Sequence, residues 1–270
     1  MDAMDGVNSM KKLLLMLLIF PLPLLAQVSG GVSLSGGSRY HVLLQADDFE
    51  LGDTSRWSGA NGGATVNTNL AYVRAGKVSM IAAYNIPCCV GGSQGVNVYK
   101  RFNSGAFANG VERFYQAGWV YFKTPGGDRD GPMRKLFWNQ DTDAGTQNSA
   151  ALTTNSIAGV ISFTYGNNAA AECGVSAVNA FTQVGGVSWD AWTRLKLYVK
   201  HNTPGQADGI VRLWVNGSLV GENVSFVTRG SCTEGSKLLA VGWQLNISPG
   251  GTGLEDRYWD EVSFSQSDPE

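Results

Sequence analysis

The strongest constraint on this chain is a period of two. In Trp192–Lys200, Leu195, Leu197 and Val199 fall on one side of an extended strand. Arg194, Lys196, Tyr198 and Lys200 fall on the other. Residues 210–216 repeat the scheme, with Leu213 and Val215 opposed to Arg212, Trp214 and Asn216. The connection HNTPGQADG is rich in turn residues, and Asn216-Gly217 before 218–220 is a hairpin signal. After residue 37 no long stretch keeps a helical period. Residues 106–116 admit one turn of helix, interrupted at Gly110. Further strands are expected at 41–45, 64–73, 77–83, 96–102, 117–123, 133–139, 158–165, 237–246 and 257–265. Many short strands with Gly, Asn and Pro turns predict a sandwich or a barrel, in one domain spanning 38–270.

Composition narrows the function. Lys and Arg total 20 against 22 Asp and Glu, a net charge of -2, so the basic footprint of a nucleic-acid binder is missing. Eleven Phe, nine Tyr and eight Trp can fill a substantial core and argue against disorder. Lys11-Lys12, the apolar run 13–25 and Ala26 read as a secretory signal over 1–26, with Met10 a plausible true start. The run is short for a membrane span. Residues 27–37 read as a Gly/Ser-rich flexible leader. A secreted or periplasmic protein with no stable membrane span is expected. Its four cysteines, Cys88, Cys89, Cys173 and Cys232, then suggest disulfides. Adjacent Cα atoms lie about 3.8 Å apart, below the roughly 4.4–6.8 Å of a disulfide, so Cys88 and Cys89 should each pair with Cys173 or Cys232, in either order.

Several segments together carry a resemblance. They are DDFELGDTSRW from Asp47 to Trp57, AGWVYFK from Ala117 to Lys123, and Lys135-Leu-Phe137. They continue with Trp192–Lys200, the NTPGQADG connection, VRLWVNG from Val211 to Gly217, and Tyr258-Trp-Asp-Glu-Val262. This ordered set resembles the concanavalin A-like, laminin-G-like jelly rolls of the polysaccharide-lyase-like group. The resemblance implies an all-β, antiparallel two-sheet jelly-roll sandwich that engages sugar, with its first and last strands as neighbours. It does not fix a reaction, because lyases, hydrolases, lectins and binding modules share this fold. The paired glutamates of the retaining glucanases and the Gln-x-His strand of the alginate-lyase type are absent from this sequence.

Candidate residues follow from chemistry. Elimination from a uronate needs a base near the C5 proton and a cation to neutralise the carboxylate. Tyr198, Arg194 and His201 are the catalytic candidates. Lys196, Lys200, Arg212, Trp214, Trp119, Tyr121, Lys123, Arg134, Lys135 and Asn139 are candidates for holding sugar by stacking, charge and hydrogen bonds. Arg134 and Lys135 reach the Tyr198 face only if the central strands are neighbours. The ordinary alternative is a solvated outer sheet face. Asp47, Asp48 and Asp260 are candidates for a structural calcium ion; no catalytic cofactor is expected. The leading reading engages a polysaccharide, acidic or neutral, as a lyase cleaving a uronate-containing polymer by β-elimination or as a lectin-like binding module; a structural or adhesive protein is the third. A monomer is expected.

Overall fold

The computed structural model describes residues 43–61, 64–84, 94–101, 111–124, 131–140, 149–157, 159–167, 178–228, 240–247 and 255–268. All lie within Ser38–Glu270, the larger of the two units into which the chain divides. The signal, the leader and all four cysteines fall outside the described residues.

Among the described residues, fifteen strands form two antiparallel sheets, and the single helical element is a 3-10 turn at Leu70–Tyr72. No helix is long and apolar enough to cross a membrane. The first sheet runs β13 (Ser218–Phe226), β12 (Gly209–Val215), β11 (Trp192–Lys200), β6 (Arg113–Phe122), β15 (Glu255–Ser265), β4 (Ser79–Tyr84) and β3 (Ala64–Asn67). An eighth strand, β1 (Leu43–Asp47), shares with β4 the edge of β15 that faces away from β6. The second sheet runs β10 (Val178–Ser188), β9 (Val160–Asn167), β8 (Ser149–Ile157), β7 (Gly131–Gln140), β14 (Ala240–Ile247), β5 (Gln94–Arg101) and β2 (Gly59–Asn61).

The predicted alternation holds on β11 and β12. Thr193, Leu195, Leu197, Val199, Val211, Leu213 and Val215 are buried, while the residues between them are half-buried on the outer face. Asn216 and Gly217 both take positive φ, 49° and 83°, which turns β12 into β13 as the Asn-Gly pair predicts. The sheets meet through aromatic rings. Phe137 lies 5.5 Å from Trp259 and 6.2 Å from Trp243, and Trp57 packs edge-on to Trp243 at 5.0 Å.

Four expectations change. Residues 113–116 belong to strand β6 instead of a helical turn, because Phe114 and Gln116 point into the core. The strand expected over 64–73 stops at Asn67, whose amide bonds Asn69 and Tyr72 carbonyls and starts the 3-10 turn. Strands β2, β8 and β10 were not foreseen. Most consequentially, β6 and β7 lie in different sheets, so Arg134, Lys135 and Asn139 are not beside the Tyr198 face.

Asn139 is a correction in itself. It is 2% exposed and sits between the sheets. Its Nδ2 donates to Gln116 Oε1 at 2.7 Å, and its Oδ1 accepts from the Tyr165 hydroxyl at 3.2 Å. Gln116 Nε2 in turn donates to the Gly242 carbonyl at 2.8 Å. This chain of bonds ties β6 to β7, β9 and β14, and holds Asn139 between the sheets, out of reach of a ligand on either outer face. An unsatisfied buried polar group costs about 1–3 kcal/mol. Asn139→Ala takes a hydrogen-bond partner from both Gln116 Oε1 and the Tyr165 hydroxyl, so urea unfolding should show a loss of about 2–6 kcal/mol. Tyr165→Phe, which removes one hydroxyl, should lose only about 1 kcal/mol. Equal losses for the two variants would contradict this network.

Candidate functional site

Register builds a continuous outer face on the first sheet. Trp192 stands opposite Tyr121, Arg194 opposite Trp119, Tyr198 opposite Tyr115 and Lys200 opposite Arg113. On the other side Lys196 meets Trp214 and Tyr198 meets Arg212. Directly opposed residues of an antiparallel pair share a face. The structure therefore brings together Tyr198, Arg194, Lys196, Lys200, Arg212, Trp214, Trp119 and Tyr121.

The cations of this face differ in how they are held. Lys196 Nζ lies 2.7 Å from Asp268 Oδ1, and Arg212 Nε lies 2.6 Å from Glu222 Oε1. Lys200 Nζ is 3.9 Å from Asp208 Oδ2. Arg194 instead donates from a terminal nitrogen to the backbone carbonyl of Glu261 at 3.2 Å. Burial pushes the Arg194 pKa down while the Glu261 charge opposes that shift. Its own strand is clamped at this point, because Arg194 N donates to Asn216 Oδ1 at 2.9 Å. Trp119, Trp192 and Arg194 line an open groove of about 1180 Å³, rimmed by Asp48, Arg56, Asn216, Glu261 and Asp268.

An aromatic cluster continues from the groove. Tyr72 stacks on Tyr258 at 4.2 Å and meets Tyr121 edge-on at 5.3 Å; Tyr121 meets Trp192 at 5.6 Å. The Arg74 guanidinium lies over Trp119 at 4.5 Å. Lys123, expected to bind sugar, bonds Asp256 at 2.6 Å and lies over the Tyr72 ring. That bond pushes the Lys123 pKa up. Tyr72 and Arg74 were missed in the sequence, because the loop that carries them is attached from far along the chain. Asp260 Oδ2 accepts from the backbone N–H groups of Arg74 and Ala75 at 2.9 and 3.2 Å, and Asp260 Oδ1 accepts from Glu261 N at 2.8 Å.

Other candidates fall elsewhere. His201 is buried on the core side, 6.3 Å from the Phe114 ring, with Nδ1 2.8 Å from Thr228 Oγ1. It does not face the groove that Arg194 lines. Asp47 accepts from Trp57 Nε1 at 2.7 Å and Phe49 N at 2.8 Å, and Asp48 accepts from Glu50 N at 3.3 Å. With Asp260 they serve as loop anchors, and among the described residues no group of three or more His, Cys, Asp or Glu is arranged to hold a metal ion.

Arg134 and Lys135 lie on β7 in the second sheet, opposite Thr154 and Thr153. Thr153 follows the core residue Leu152, so Lys135 stands on the outer face of that sheet. Burial pushes the Lys135 pKa down, and among the described residues no carboxylate pairs with it. Trp138 and Tyr99 flank Gly242 on the same face; a Cβ at Gly242 would lie 3.3 Å from the Trp138 ring.

No family model matches the chain, and no curated protein sequence matches it. Solved structures do match in fold. An endo-beta-1,4-glucuronan lyase from the fungus Trichoderma reesei aligns with a TM-score of 0.62 at 15% identity, covering 83% of this chain and 96% of that one. An alginate lyase from Chlorella virus gives 0.58 at 16% identity, covering 83% and 100%. A marine alginate lyase from Aplysia kurodai gives 0.53 at 15% identity, covering 78% and 92%. The chain thus has the jelly-roll fold of polysaccharide-lyase-like structures, the concanavalin A-like sandwich that its sequence resembles.

Burial pushes the Asp260 carboxyl from its ordinary 3.8 up to about 6, against the pull of its three N–H donors. Between 3.8 and about 6 the native state holds a proton that the unfolded chain has released. In that window this group makes stability fall as pH rises. A carboxyl-detected NMR titration should show one aspartate with its midpoint near 6, and the Arg74 and Ala75 amide signals should move with it. A midpoint at the ordinary aspartate value would contradict this burial.

Proposed function

We propose that the protein engages a polysaccharide along the outer face of its first sheet, in an extracellular or periplasmic setting consistent with its N-terminal sequence. One observation carries this reading: Trp119 and Trp192 flank the half-buried Arg194 in an open groove. Indole faces stack against the apolar faces of pyranose rings, and a guanidinium pairs with a carboxylate in a planar fork. From Trp192 to Tyr198 the face runs roughly 20 Å at about 3.3 Å per residue. That length suits a polymer better than one sugar. The other cations near Tyr198 already have carboxylates of the chain beside them, which favours binding over elimination at this face.

A second reading, cleavage of a uronate polymer by β-elimination, draws support from Lys135. A lysine with its pKa lowered by burial, and with no described carboxylate partner, is suited to proton transfer or to neutralising a uronate. The aromatic neighbours Trp138 and Tyr99 give that face a stacking surface. Likeness in fold to three lyases is consistent with this reading without assigning it.

Affinity electrophoresis against glucuronan, alginate, pectate and neutral glucans tests the first reading. Trp119→Ala should weaken binding about tenfold, and Arg194→Ala should do so for uronate polymers alone. Unchanged affinity in both folded variants sinks the groove. Ultraviolet detection of unsaturated uronate tests the second. Lys135→Ala should then lower turnover by roughly 10²–10⁴-fold, with Tyr198→Phe as the comparison on the other face. Absence of product from every uronate polymer rejects elimination and leaves binding alone.

A further inference from the structure

One pleat beyond Arg194 the same face offers a second cation, and the chain's own C-terminal segment sits on it. Lys196 Nζ lies 4.9 Å from the Trp214 ring centre. Its side chain is only 18% exposed, whereas that of Asp268, bonded to it at 2.7 Å, is 43% exposed. The segment after β15 is folded back by a bond from the Ser265 hydroxyl to the Ser267 carbonyl. Asp268 reaches the groove that Arg194 lines. Its charge is also felt by Tyr115, whose pKa is raised first by burial and next by Asp268. Tyr115 in turn packs on Tyr198 at 4.7 Å. A carboxylate is therefore held on a lysine whose ammonium lies over an indole, close enough to the Tyr115 phenol to act on it. A uronate stacked on Trp214 would present the same groups in the same relation.

We infer that Lys196 and Trp214 form a carboxylate subsite continuous with the groove, and that Asp268 occupies it as an internal stand-in for the ligand. An acidic glycan and the C-terminal segment then compete for one position. This rests on the proposed binding of polysaccharide at the groove. A half-exposed ion pair is weak, so a polymer that also engages Arg194 and the tryptophans can displace Asp268. The segment acts as a threshold: neutral chains gain nothing at Lys196, and acidic chains gain a contact once Asp268 leaves. The other carboxylates near the face lie by other cations: Asp208 by Lys200, Glu222 by Arg212, Asp48 by Arg56 and Glu261 close enough to act on Arg194.

The test is calorimetric titration of the full chain with a glucuronan oligosaccharide and with an uncharged gluco-oligosaccharide of equal length. Asp268→Asn should tighten uronate binding about two- to fivefold, the range set by a weak pair, and leave the neutral oligosaccharide unchanged. Adding Lys196→Gln to that variant should abolish the gain, whereas adding Lys77→Gln, an exposed lysine outside the groove whose loss restores the same net charge, should preserve it. In the wild-type chain, the Asp268 amide signal should shift on titration with the uronate and stay still with the neutral sugar. Unchanged or weaker uronate binding by Asp268→Asn, with wild-type binding intact, overturns the subsite while the groove stands. Failure of both proteins to bind any of the sugars removes the groove reading and this inference with it.

Discussion

The outer face depends on what lies beneath β11. Thr193, Leu195, Leu197 and Val199 are all buried, so Arg194, Lys196, Tyr198 and Lys200 have only the opposite side of the strand to occupy. A slip of one residue would invert every side chain and drive four polar groups into the core. Continuous pairing with β6 and β12 holds this register along both edges. The same burial that stabilises the sandwich thus sets the spacing of the chemistry outside it.

The inner and outer polar groups follow different rules. Gln116, Asn139 and Tyr165 bond one another where water is excluded, and their geometry binds one sheet to the other. Outside, pairs such as Arg212–Glu222 lie in water, where an ion pair contributes little to stability. Their placement therefore governs which cations an incoming anion meets first. Arg194 differs from its neighbours because its described bond runs to a carbonyl, while the Glu261 carboxylate acts on it through the field and not through a bond.

Legibility in the sequence tracked periodicity. The β11–β12–β13 hairpins were readable because half-buried strands alternate and an Asn-Gly turn separates two of them. Strand β8 was not, since Ala151, Leu152, Thr153, Thr154 and Ser156 are all buried and no alternation survives. Strand β10 was hidden by Gln183, Gly185 and Gly186, whose positive φ values accompany its register shifts. The tryptophans and cations of the face were visible as residue types on strong strands. Their partners were not: Asp268 is 72 residues from Lys196, and Asp260 is 186 from Arg74. Asn139 misled for a related reason. An Asn on an alternating strand looks solvent-facing until a Gln from the other sheet is placed against it.

The position of β15 has a consequence for how the molecule is assembled. It is the last described strand in the chain, yet it lies inside its sheet, between β6 on one edge and β4 with β1 on the other. Leu43 of β1 pairs with Ser265, so this contact closes a loop that encompasses nearly the whole domain. Such long-range closure is slow. Until residues 255–265 arrive, β6 and β4 face an empty lane with unpaired backbone groups. The nascent domain must therefore remain open until residues 255–265 have been made, and its first sheet cannot close strand by strand in the order of synthesis.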